Sequence, residues 1–131
     1  MAKFFFACRK TILPLPWLTF ALPFSLRSGA APLVAAWAAA FGINPPKWGI
    51  KRMKTKWGSC NIEAKRVWLN LELVKKPPHC LEYVIVHELC HFFERNHSDR
   101  FVALLDQKLP QWRLIRDELN AAPLANEDWI D

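Results

Sequence analysis

At 131 residues the chain has room for one domain and one modest core, which its 52% hydrophobic content can fill. The net charge of +6 is unevenly spread: residues 1–76 hold thirteen basic groups against Glu63 and Glu72, whereas residues 77–131 hold ten acids against five bases. Four cysteines (Cys8, Cys60, Cys80 and Cys90) form no CxxC pair. That argues against a cysteine-rich zinc knuckle and, more weakly, against a secreted disulfide framework, and reduced thiols in a cytoplasmic protein are the simplest account.

Residues 1–30 start with basic groups, continue through an apolar run and reach Ser28-Gly29-Ala30, an order similar to that of an export signal. Pro14, Pro16 and Pro23 interrupt the run, and each removes a backbone donor that a membrane helix needs. The run is also too short to span a bilayer. A divergent or poorly structured extension is expected here, with no stable membrane span.

Residues 32–41 begin with Pro32, run through alanines and stop at Gly42, which predicts a short helix. Asn44-Pro45-Pro46 breaks the chain. Residues 50–57 alternate Met53, Thr55 and Trp57 with Arg52, Lys54 and Lys56, and residues 67–74 alternate Val67, Leu69, Leu71 and Leu73 with polar or aromatic groups. Two such runs predict paired strands connected by residues 58–66. Residues 79–95 have a helical pattern, Ser98 suits the cap of a helix over 99–108, and residues 111–120 make a last helix with Trp112, Ile115 and Leu119 on one face. The class is α+β, with a domain over 31–122 and a tail over 123–131.

The chemistry lies in HELCHFFERNH, residues 87–97. His87 and His91 are four apart, about 40° apart on one helix face, where both imidazoles can bind one zinc ion. Glu88 stands beside the first ligand and can reach a water on the metal without ligating it. Catalytic zinc usually keeps three protein ligands, and His97 is the candidate third. A continuous helix would aim it about 80° away from the ligand face, so the helix must end near residues 94–96 and turn back. Asn96, tolerant of the left-handed conformation, suits that turn. Glu94 is a rival ligand or a partner orienting an imidazole. His79 reads as a helix-start residue and Cys90 as a core thiol.

The 0, +4, +10 histidine spacing is that of metzincins, but Glu94 replaces their glycine and no Met-turn follows. RMKTKWGSC, the LN of VWLNLEL, YVIVHELCH, NHSDRF and PQW, in that order over residues 33–120, more closely resemble the YgjP-like predicted metal-dependent hydrolases, small zincins related to SprT-like metallopeptidases. The resemblance implies a small sheet over the active-site helix, His87, His91 and His97 as Zn2+ ligands, and Glu88 as catalytic base. In zincins an edge strand beside that helix can hold an extended peptide, and MKTKWGSC is a candidate for that neighbourhood; the alternative is a hairpin whose Trp57 and Cys60 fill the core. Family members usually have further strands ahead of the helix at 32–41, which residues 1–30 replace here.

The leading expectation is a zinc-dependent hydrolase, a metallopeptidase acting on a peptide or protein through a zinc-bound water activated by Glu88. One alternative is a nucleic-acid-associated module using the basic stretch from Lys47 to Lys56 with Trp48 and Trp57. Another is a truncated copy that binds zinc without turnover.

Overall fold

The computed structural model describes residues 22–121. Expectations for residues 1–21 and for the tail from 122 onward lie outside the described residues.

Helix α1 (Leu22–Phe41) begins ten residues before the expected start, and Pro32 lies inside it. The cause is a stripe at every fourth position. Leu26, Ala30, Val34 and Ala38 are all buried, while Pro32 is exposed and gives up its helix hydrogen bond on the outer face. Leu26 and Ala30, assigned by sequence to the extension, therefore belong to the core. Gly42 ends the helix as expected. At φ 75° it lets its own N–H reach Ala39 O and the Ile43 N–H reach Ala38 O, the two bonds of a Schellman cap.

Among the described residues the sheet has three strands, β1 (Lys47–Lys51), β2 (Gly58–Asn61) and β3 (Arg66–Asn70), in the order β1-β3-β2. This corrects the expected hairpin of 50–57 with 67–74. The true hairpin is β2 with β3, antiparallel across a turn at 62–65, and β1 joins β3 in parallel. In that turn Lys65 takes φ 54° and Asn61 Oδ1 accepts the Ala64 N–H.

Asn70 explains why both expected strands were misplaced. Its side chain is buried, donates to Met53 O at 2.8 Å and Lys56 O at 2.7 Å, and accepts from the Glu72 N–H at 3.0 Å. The first two bonds gather residues 52–57 into a loop. The third caps a short 3-10 helix (Leu71–Lys75) where the strand was expected to continue.

Helix α2 (Pro78–Cys90) is the centre of the molecule, with ten of its thirteen residues buried, so neighbours must surround it. It packs against α1, β2, β3 and the last two helices, α3 (Asp99–Lys108) and α4 (Trp112–Asn120). Trp37 Nε1 donates to Glu82 at 2.8 Å, tying α1 to α2. The inner face of the sheet contributes Val67 and Leu69 to the core, and α4 contributes Trp112 and Leu119. Among the described residues no helix is long and apolar enough to cross a membrane.

Candidate metal centre

Helix α2 brings His87 and His91 to its last turn, both buried, at a ring-centroid separation of 5.2 Å. Beyond Cys90 the N–H groups of His91, Phe92 and Phe93 each bond the carbonyl three residues back, which tightens and ends the helix. The stop comes earlier than the expected 95. Asn96 does not use the left-handed region, where Lys65 and Gly42 alone are found among the described residues.

His91 makes the return. Its Nδ1 lies 3.2 Å from Glu94 O and 3.0 Å from Arg95 O. Carbonyls only accept, so Nδ1 carries the proton and the lone pair is on Nε2. Glu94 thus orients an imidazole through its backbone, and its carboxylate is not among the grouped ligand atoms. Ser98 then starts α3, its side chain accepting from the Phe101 N–H as expected.

This path carries His97 back to the other two imidazoles. One ligand nitrogen from each of His87, His91 and His97 lies within 4.8 Å of the others. His87 Nε2 and His97 Nε2 are 3.2 Å apart. Two nitrogens on one tetrahedral zinc, each about 2.0–2.1 Å from it, would be separated by about 3.3 Å. The donor set fits such an ion. Tyr83 Oη stands 3.5 Å from His87 Nδ1, on the side of the ring away from His97. Phe101 forms the floor, with its ring centroid 5.0 Å from His87 and 4.7 Å from both His91 and His97.

Glu88 is 2% exposed, and burial pushes its carboxyl up to about 8, with the Lys56 ammonium pulling the other way. Gly58 of β2 makes its space. A Cβ there would stand 3.0 Å from Glu88 Oε2 and 2.6 Å from Val84 Cγ1. Cys60, two residues on, is half-buried, and burial with the nearby Glu88 charge pushes its thiol up to about 12.

Cys90 is a buried core thiol pushed up to about 12 by desolvation. His79 begins α2 and pairs with Glu118 of α4 at 2.6 Å, next to the buried Cys80. Trp57 is 2% exposed and sits in the core, as the core alternative has it and against the stacking role of the nucleic-acid alternative. Lys54 and Lys56 of the same stretch are exposed. Gly58, Asn70 and Phe101 all lie in the segments that carry the resemblance, but pattern reading gave them no role.

A small sheet laid on a buried helix that carries HExxH, with a third histidine returned by the following turn, is a zincin-like metallopeptidase fold. The family model of the YgjP-like metallopeptidase domain matches residues 22–122, and the chain belongs to that family. It is similar to the metallopeptidase zymogen abylysin of Pyrococcus abyssi, with TM-score 0.67 and 19% identity over 74% of this chain and 97% of that one. It is also similar to the zymogen jannalysin of Methanocaldococcus jannaschii, with TM-score 0.56 and 28% identity over 65% and 90% of the two chains. None of the curated proteins matches it. Family membership makes the chain a metallopeptidase, with a metal ion and a peptide or protein substrate.

Proposed function

We propose that the domain is a zinc peptidase in which His87, His91 and His97 hold the ion and Glu88 is the general base. The supporting observation is the approach of three imidazoles to one point beside a buried carboxyl. A zinc ion there supplies Lewis acidity, polarising the scissile carbonyl and bringing the pKa of a coordinated water towards neutrality. The chain's own residues do the rest.

His91 Nδ1–H is fixed by two carbonyls and the three rings rest on Phe101, so the imidazoles are set before an ion arrives. Glu88 takes the proton of the attacking water and delivers it to the leaving amine. Burial raises its carboxyl to about 8, so it would hold a proton near neutral pH, and a bound dication would favour the carboxylate that a base requires. Among the described residues β2 is an edge strand, and its Gly58 lies against Glu88, so an extended peptide paired along it would pass beside the base.

The test is a peptide-library digestion with zinc content measured on the same samples. Glu88→Gln should keep its zinc and lose about 100-fold or more in kcat. His97→Ala should lose most of its zinc. Zinc retained with no cleavage in any wild-type digest would support the truncated, non-turnover alternative. Undiminished cleavage by Glu88→Gln would refute the base assignment.

A further inference from the structure

The two faces of the sheet differ in kind. Register places Lys47, Gly49 and Lys51 of β1 beside Arg66, Trp68 and Asn70 of β3, and Ser59 of β2 beside Trp68. Gly58 pairs with Leu69 on the opposite face, the one that meets Glu88. Trp68 is half-buried and leans across β1. Three atoms of its six-membered ring come within 2.6–3.3 Å of where a Cβ of Gly49 would stand, so only glycine admits the ring. Lys51 Nζ lies 4.5 Å from the Trp68 ring centroid and Arg66 Cζ 5.1 Å from it.

The surrounding charge is strongly of one sign. Residues 47–66 hold seven basic groups and one acid, Glu63. Arg95 takes up Glu63 at 2.9 Å. Nearby Glu72 is matched by Lys75 at 2.7 Å and Arg52 at 3.5 Å. What remains is an indole on the outer face of the sheet, flanked by cations with no acid facing them among the described residues.

We propose that this outer face binds single-stranded nucleic acid, with a base stacked on Trp68 and Lys47, Lys51 and Arg66 on its phosphates. Stacking on an aromatic ring tolerates any base, and a basic surround follows the backbone. The cation contacts with Trp68 are weak at an exposed site, so Lys51 and Arg66 can swing from the ring to phosphate oxygens as a base arrives. A duplex hides its bases and could use only the charges. The bound strand lies across the sheet from Glu88 and leaves the peptide edge of β2 accessible. This moves the surface expected from the basic stretch: Trp68 replaces the buried Trp57 as the stacking group.

The experiment is fluorescence anisotropy with a labelled oligothymidylate at low salt, using the full chain. A duplex of equal length and vesicles containing phosphatidylserine serve as the competing partners. The strand should bind more tightly than the duplex, with affinity falling linearly in log salt. Lys51→Glu with Arg66→Glu should weaken it about 10-fold or more at unchanged zinc content and circular dichroism. Trp68→Phe should retain binding that Trp68→Thr loses. The proposal is overturned if the charge reversals leave affinity unchanged, if duplex binds as well as strand, or if the vesicles capture the chain and the strand does not. Zinc content and cleavage are read separately, so failure of this surface leaves the metal centre standing.

Discussion

Gly58 and Glu88 show how little freedom the site leaves a single side chain. Strand β2 can lie this close to α2 only because position 58 has no Cβ. Gly58→Ala is expected to destabilise the fold by about 1–3 kcal/mol, as overpacking of a tight contact does. It should also reduce cleavage more than that loss explains, because the added Cβ would press on Glu88 as well as on Val84. Thermal melting and kcat measured on zinc-loaded protein separate the two effects. At this scale the sequence was informative where chemistry demands a residue type at a spacing. The grouping of His87, His91 and His97 was legible because the metal ligation expected of them constrains both. Phe101 and Gly58 were silent, since their roles depend on which surfaces meet, and no local pattern encodes that.

Elements were legible where caps and breaks are local. Ser98, Gly42 and the helix over 99–108 fell as expected because each rests on backbone groups a few residues away. The strands were not, because one buried amide overrides two period-two runs. Asn70→Ala removes three hydrogen bonds and leaves Met53 O and Lys56 O without that donor. A loss of about 2–4 kcal/mol is expected in urea unfolding. The α1 boundary failed for a related reason. Pro32 marks a helix start only if nothing earlier is worth burying, and Leu26 and Ala30 are.

A second element-level contact is pH-dependent. Asp106 of α3 accepts from Trp112 Nε1 at 2.7 Å and from Arg113 at 2.6 Å, and these bonds hold its carboxyl below its usual range. A depressed carboxylate contributes stability above the unfolded value of 3.8, and that contribution is lost as pH falls through the lower folded value. Asp106→Ala should therefore unfold at lower urea than wild type at neutral pH. The gap between the two midpoints should close as the pH is taken below 3.8.

For the whole molecule, an ion at the three histidines would join the end of α2 to the start of α3, so binding and folding are linked. Zinc at about 100 times its Kd would stabilise the native state by about 2.7 kcal/mol. In a domain of roughly 100 residues that corresponds to a Tm increase of roughly 10 °C or more. Calorimetry with and without a chelator should show this shift in wild type and little of it in His97→Ala. An equal shift in both proteins would place the stabilising ion elsewhere.

The parallel pairing of β1 with β3 has a consequence for the order of assembly. Asn61 meets Arg66 across a short turn, whereas Lys47 meets the same Arg66 across a longer loop that contains all of β2. Closing the larger loop costs more chain entropy, so β1 is expected to dock after β2 and to detach before it. Amide hydrogens of Lys47–Lys51 should exchange with deuterium well before those of β2, through a local opening that leaves α2 and its histidines folded.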